Sequence, residues 1–346
     1  MAKSIERLLD ANFNRAREAL RVLEDYARFL LNDATLSGAA KALRHELTTA
    51  MAQIGVTELL GARDTLGDVG TVLSTDQEKR RRDSLVVVLA ASRRLSEALR
   101  CLEEYSKIRY GDLAAALEQI RYRAYELEKT VLTRANREDR FRAVQVYVLL
   151  TESACQRPIL QVAEAVLEGG ADCIQLREKQ KADAELVELA RIIAQMCHDA
   201  GALFVMNDRA DLAVLANADG VHVGQDDLSV EQVRKVVGGH VCVGKSSHSV
   251  EEARAAQNEG CDYLAVGSVF ASQTKPQVAV SGLELIQQVR DCYQGPVIAI
   301  GGVTPENASQ AVSAGASGVA ISQAVLGAAD PAEQVRRLKA VFDQDG

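Results

Sequence analysis

Hydrophobic positions follow two different periods on either side of about residue 140. Ahead of it, Ile5, Leu8, Leu9, Phe13, Ala16, Leu20, Leu23 and Tyr26 recur three and four residues apart, with arginines and acids filling the other face. That is the 3.6-residue stripe of an amphipathic helix. The same spacing predicts helices over 34–53, 76–109 and 112–135, interrupted only by the glycine-rich stretch GARDTLGDVGT (61–71). An all-α domain is therefore expected over 1–135. From Val144 the chain instead alternates short apolar runs with amphipathic segments. Strands are predicted at 144–151, 173–177, 203–207, 220–224, 241–246, 263–270, 297–301 and 318–322. Helices are predicted at 158–168, 183–199, 209–216, 229–237, 249–259, 282–293, 305–314 and 331–343. Strand–helix alternation implies a parallel sheet, and eight units without a long insertion predict closure into a (β/α)8 TIM barrel over 144–346. The charged segment TRANREDR (133–140) marks the boundary, as a solvated helix end or a linker.

The helical half repeats itself. EALRVLEDYAR (18–28) returns as EALRCLEEYSK (97–107), an offset of 79 (97 minus 18), so that Glu18, Arg21, Glu24 and Tyr26 match Glu97, Arg100, Glu103 and Tyr105. Two matched helices suggest pseudo-twofold packing. Asn14, Arg17, Arg21, Glu24 and Arg28 fall along one helical face. Such a face either carries i,i+3 and i,i+4 ion pairs or holds phosphates bidentately.

Composition narrows the classes. A net charge of −8 lacks the basic field of a general nucleic-acid surface. Seven cysteines (101, 155, 173, 197, 242, 261 and 292) show neither a CxxC pair nor zinc spacing, and read as core residues of a reducing compartment. The first twenty residues hold no apolar leader, and no apolar run reaches membrane-spanning length, so a cytoplasmic protein without membrane or nucleic-acid partners is expected.

The strand ends carry the chemistry. QLREK (175–179) sets Gln175, Arg177 and Lys179 at alternate positions on one face, which suits a polar ring attached to a polyanion. Asn207 and Asp208 end the third strand, and Asp226 and Asp227 follow the fourth. Neighbouring strand ends bring Asp208 and Asp227 to a common point, a typical arrangement for Mg²⁺, which keeps waters and takes few protein ligands. The plainer alternative is that Asp226 or Asp227 caps the helix at 229. GKSSH (244–248) offers Ser246 and Ser247 hydroxyls and a histidine, His248, that fits a structural role better than a direct one. His222 is expected to point into the barrel. FASQTKPQVAVSG (270–282) is the longest strand-to-helix loop of this half and a candidate lid. AIGGVTPEN (299–307) and GVAISQAV (318–325) place Gly301, Gly302 and Ser322 where many barrels bind a phosphate.

Taken together and in this order, QLREK, VMND (205–208), GQDD (224–227), GKSSH, SQTK (272–275) and IGG…AIS resemble thiamine-phosphate synthase over about 144–343. The resemblance implies an enzyme that joins hydroxymethylpyrimidine pyrophosphate to a thiazole phosphate, or its carboxylate, and releases pyrophosphate. It assigns Gln175, Leu176, Arg177, Glu178, Lys179, Asn207, Ser246 and Lys275 to the pyrimidine pyrophosphate. Ser272, Gln273, Thr274, Gly302, Ile321 and Ser322 go to the thiazole phosphate, and Asp208 and Asp227 to Mg²⁺. Arg177, Lys179, Ser246 and Lys275 carry the catalytic roles it implies. Ser272 stands where the family often has threonine, which keeps the hydroxyl; Lys245 falls at a variable position. The helical half resembles the domain fused ahead of this enzyme in some bacteria, related to a family linked to phosphorylating hydroxymethylpyrimidine phosphate. Asp64, Gly67, Asp68 and Gly70 are its candidate phosphate-cradling residues, although no Walker A sequence is present. A docking or homo-oligomerisation module is the competing reading of that half. For the barrel, a thiazole tautomerase would keep the Gly302/Ser322 site without needing the aspartate pair, and a precursor-binding protein would not turn over.

Overall fold

Helix α1 (Ala2–Phe29) buries Leu9, Ala16, Leu20 and Leu23 completely, which is the stripe its spacing predicts. It is followed by α2 (Ala34–Met51), α3 (Val56–Ala62), α4 (Ser84–Ser106) and α5 (Gly111–Arg142). The computed structural model describes residues 2–31, 33–64, 81–271 and 280–343. The chain divides into two compact units, Met1–Ala135 and Asn136–Gly346. The division falls within the charged stretch 133–140, and that stretch is helical.

Within the first unit the repeated helices are α1 and α4. Asp33 and Asp83 cap α2 and α4 by accepting the Leu36 and Val86 N–H groups, so α4 begins at Ser84 rather than as early as its periodicity suggests. The repeated glutamates do the same work twice. Glu24 is buried against Arg44 of α2 (3.0 Å), and Glu103 against Arg121 of α5 (2.6 Å). On the arginine face, which the spacing offers either to local ion pairs or to a phosphate, Arg21 and its twin Arg100 take the ion pairs. Arg21 pairs with Glu24 and Asp25, and Arg100 with Glu103 and Glu104. Arg7 pairs with Asp64 at 3.5 Å; Gly67, Asp68 and Gly70 lie outside the described residues. The short helix α3, bounded by Gly55 at φ +91°, has no clear periodic signal in the sequence.

The second unit runs β1 (Val146–Leu150), α6 (Ile159–Glu168), β2 (Cys173–Leu176), α7 (Asp183–Asp199), β3 (Leu203–Asn207), α8 (Ala210–Leu215), β4 (Gly220–Val223) and α9 (Val230–Val237). It continues through β5 (Cys242–Ser247), α10 (Val250–Glu259), β6 (Tyr263–Val266), α11 (Gly282–Arg290), β7 (Val297–Ile300), α12 (Ala308–Ser313), β8 (Gly318–Ile321), α13 (Gln323–Leu326) and α14 (Pro331–Phe342). The eight strands are parallel and close as β1 through β8, with β8 pairing back to β1. This is the (β/α)8 barrel the sequence implies.

Alternation along each strand decides what reaches the interior. Val146, Val148, Leu150, Ile174, Leu176, Phe204, Met206, Val221 and Val223 face outward into the strand–helix core. Tyr147, Cys173, Val205, Cys242, Tyr263, Ile298 and Ala320 fill the barrel itself. Tyr263 needs room, and Gly244 on the neighbouring strand gives it: a Cβ there would sit 2.0 Å from the tyrosine ring. Phe141, from the last turn of α5, stacks flat on Tyr263 with ring centroids 3.9 Å apart. The interior is thus a packed plug below its carboxyl-end mouth. All seven cysteines are free, and four of them are buried.

Candidate active site

The inward positions near the mouth are Gln175, Asn207, His222 and Ser246. Gln175 lies between two outward-facing residues, Ile174 and Leu176, so its side chain must enter the barrel. It is 1% exposed, and its amide Nε2 has no hydrogen-bond partner among the described residues. A buried donor left bare costs about 1–3 kcal/mol. That is expensive for a scaffold and natural for a group that awaits a ligand acceptor. Leu176 is turned outward into the core and offers the mouth only its main chain.

Beyond β2 the chain stays pinned to β1. The Arg177 N–H donates to Leu150 O at 2.9 Å, and the Thr151 hydroxyl donates to Arg177 O at 3.0 Å. The Glu178 carboxylate is spent on the Glu152 N–H, while Lys181 pairs with the Glu152 carboxylate. Lys179 remains largely exposed and its ammonium lies 3.5 Å from Asp208.

Asp208 adopts φ +60°, a left-handed conformation that costs a non-glycine residue about 1–2 kcal/mol. Its N–H is held by His222 O at 2.9 Å, and the next N–H, of Arg209, turns back to Asn207 O at 2.7 Å. This tight turn brings the Asp208 carboxylate within hydrogen-bonding reach of Asp227. Burial first, and then the Asp227 charge, hold the Asp208 carboxyl above its usual range; Lys179 opposes both. Asp227 is fixed in turn by the Gly224 N–H, 2.8 Å from Oδ2. Neither aspartate of the GQDD segment caps the following helix. Ser229 does, through a capping box with Gln232. The plainer alternative for Asp227 is therefore removed.

Ser246 is oriented from below. His222 Nε2 lies 2.9 Å from Ser246 Oγ, its Nδ1 lies 3.1 Å from Tyr263 OH, and Tyr263 OH lies 3.0 Å from Tyr147 OH. Burial pushes the His222 imidazole down to about 4, so the ring is neutral at physiological pH. The sequence places His222 inside the barrel but gives no sign of this chain of contacts, because its members come from four different strands. Lys245 faces outward and pairs with Glu259 of α10 at 2.9 Å. His248 is exposed and held by Glu252, in keeping with a structural role.

On the other rim, Gly301 (φ +95°) and Gly302 (φ +65°) follow β7. Added Cβ atoms there would sit 2.2 Å from Ser268 Oγ and 2.4 Å from Ala271 O. Only glycine lets this turn lie against the start of the β6 loop. Asn307, which sequence reasoning passed over, locks the turn by donating to Gly302 O (3.0 Å) and accepting from Thr304 N (2.8 Å). Ser322 begins α13 without spending its hydroxyl on the cap. Ile321 is buried in the outer core, so only its main chain faces the rim. Ser272, Gln273, Thr274 and Lys275 lie outside the described residues.

Two carboxylates under mutual repulsion, beside lysine and a bare amide, fit a divalent cation that keeps most of its own waters. Among the described residues no cluster of three or more His, Cys, Asp or Glu is placed for a metal. No helix among them is long and apolar enough to cross a membrane.

Comparison with known proteins places both halves of the chain in families. Residues 146–325 match the thiamine monophosphate synthase family, and residues 7–130 match the ThiD2 family. Thiamine-phosphate synthase of Thermosynechococcus vestitus is 40% identical over 334 residues, covering 96% of this chain and 94% of that protein. The Rhodopirellula baltica enzyme of the same name is 40% identical over 334 residues, covering 94% and 89%. Among solved structures, the thiamine phosphate pyrophosphorylase of Pyrococcus furiosus superposes with a TM-score of 0.55 at 32% identity, covering 59% of this chain and 98% of that one.

Proposed function

The chain belongs to the thiamine-phosphate synthase family, and from that premise we propose how its barrel mouth carries out the reaction. It is an enzyme of thiamine biosynthesis, a transferase that condenses hydroxymethylpyrimidine pyrophosphate with thiazole phosphate to thiamine phosphate and pyrophosphate. Gln175 and Asn207 take the pyrimidine ring, the bare Gln175 amide donating to a ring nitrogen. Arg177, Lys179 and Lys275 hold the diphosphate and stabilise the negative charge it gains as the C–O bond breaks. Asp208 and Asp227 would hold Mg²⁺, which when bound supplies further positive charge to the same diphosphate. The pyrimidinylmethyl cation left behind is stabilised by its own amino group and captured by the thiazole nitrogen, so no protein nucleophile is required. Ser246, set by His222, faces that reacting region. Gly302, the Ile321 main chain and Ser322, with Ser272, Gln273 and Thr274, hold the thiazole phosphate. The observation that carries this reading is the facing pair Asp208 and Asp227, with Lys179 3.5 Å from Asp208, beside a Gln175 amide that has no partner among the described residues.

The test is to mix pure protein with both precursors. Thiamine phosphate and pyrophosphate should appear in equal amounts, stop with a chelator and resume with Mg²⁺. Equal rates in metal-free buffer would remove the metal role while leaving the condensation intact. For the helical unit, the match to the ThiD2 family favours the reading as a handler of hydroxymethylpyrimidine phosphate, the compound one phosphoryl transfer short of the barrel's substrate. Incubation with ATP and that monophosphate should then yield the diphosphate.

A further inference from the structure

The two repeats of the helical unit agree where a scaffold requires it and differ at one place. At the offset of 79, Leu9, Ala16, Leu20 and Leu23 of α1 correspond to Val88, Leu95, Leu99 and Leu102 of α4, all of them buried. Glu24 and Glu103 each hold an arginine from another helix. Closer to the start of α1 the match fails. Glu6 and Asp10 stand where α4 has two leucines, Leu85 and Leu89. Packing of this fold therefore does not call for carboxylates at these positions, yet Glu6 is 3% exposed and Asp10 is 5% exposed.

Their partners differ in kind as well. Asp10 is closed off by Arg63, which binds both its oxygens at 2.7 and 2.8 Å. Glu6 uses only Oε1, which accepts from Arg109 (2.9 Å) and Tyr110 (3.4 Å). Its Oε2 is buried and has no donor among the described residues. A divalent cation does not fit, because the Asp10 oxygens are taken and Glu6 has a single one to give. A purely anionic ligand would meet two carboxylates. Arg63 and Arg109, however, have side chains 44% and 39% exposed, so each keeps N–H groups at the surface beyond those given to the acids. The arrangement asks for one molecule with an N–H donor for Glu6 Oε2 and an anionic group for the two guanidiniums.

We propose that Glu6, Arg63, Arg109 and Tyr110 form a second small-molecule site, for a phosphorylated amino-heterocycle whose amine donates to Glu6 and whose phosphate accepts from the arginines. The proposal rests on the reading of the helical unit as a handler of hydroxymethylpyrimidine phosphate and gives that reading a place. The test uses the full chain with Gln175→Ala and Lys179→Ala, loss of condensation certifying that the barrel no longer competes. Calorimetric titration with the pyrimidine monophosphate should show one remaining site. Glu6→Leu, which borrows the residue of the second repeat, should weaken it at least 10-fold. An analogue without the exocyclic amine should bind the parent as weakly as the amine binds the variant. A parent that binds, with affinity unchanged by Glu6→Leu, overturns the site and leaves the reading of the unit standing. A parent that does not bind overturns that reading and the ligand named here together. Melting separates function from scaffold: Glu6→Leu should keep or raise the Tm, because it releases only the exposed Arg109 and the half-buried Tyr110 hydroxyl, while Glu103→Leu should lower it by taking the carboxylate from buried Arg121. Equal losses would make Glu6 a scaffold residue and overturn the proposal.

Discussion

At the amino-terminal end of the barrel, Asp172, Asp219 and Asp262 each stand one residue ahead of an even-numbered strand, and each accepts main-chain N–H groups from the preceding odd strand. The partners are Val146 at 2.8 Å, Phe204 at 2.9 Å and Val243 at 2.7 Å. Ser317, one residue ahead of β8, does the same for Val297 at 3.2 Å. Each aspartate also holds one or two basic side chains: Lys339 for Asp172, Arg140 and His198 for Asp219, Arg137 and Arg234 for Asp262. At the carboxyl end the same residue type is arranged in the opposite sense. Asp208 and Asp227 face each other, one of them in a left-handed conformation, beside an amide with no partner among the described residues. Even the cleft of about 640 Å³ that opens at the floor, lined by Asp172, His198 and Asp219, has these groups already engaged. A satisfied polar end stabilises the fold, and an unsatisfied one is complementary to something not yet bound.

The comparison is broken most severely by swapping what each end loses. Asp208→Ala should lower turnover on the order of 10³-fold, with melting unchanged or slightly raised because the carboxylate repulsion goes. An equal loss of stability would place Asp208 with the floor. Asp262→Ala should do the reverse. It takes from the buried Arg137 the carboxylate that balances its charge and should cost about 3–5 kcal/mol in urea unfolding, with turnover per folded molecule intact.

His222 lies between the two ends and sharpens the contrast by its pH dependence. Its folded pKa is depressed from 6.5 to about 4, so between these values the unfolded chain binds a proton that the folded chain refuses. Stability should therefore fall as pH drops through that window, by on the order of 3 kcal/mol in total. The slope should flatten in His222→Gln; a slope that persists unchanged would assign it to other groups. The smallest effect belongs to the far rim. Ser322→Ala should raise the KM for thiazole phosphate by roughly 10-fold with little change in kcat, the signature of lost ground-state binding. A loss confined to kcat would move Ser322 into the chemistry.

Much of the site was legible because a barrel strand exposes its chemistry at a fixed place. QLREK, the aspartates at 208 and 227, and the glycine pair at 301 and 302 each end an apolar run. The floor was not legible. Asp172, Asp219 and Asp262 sit at equivalent positions, but each looks like an ordinary loop residue until the strand it bridges is known. The arginine-rich face of α1 was half legible: its spacing offered local ion pairs or a phosphate, and only the packed helices show that Arg21 and its twin Arg100 take the pairs.

The sequence by itself determined the two periods, the strand–helix count and the residue types at each strand end, since these depend only on spacing along the chain. Tertiary structure alone decided which polar groups are paired. That Gln175 and Glu6 keep a bare atom among the described residues while Asp262 keeps none depends on neighbours that are distant in sequence, brought to hydrogen-bonding distance only when the barrel closes and the helices pack.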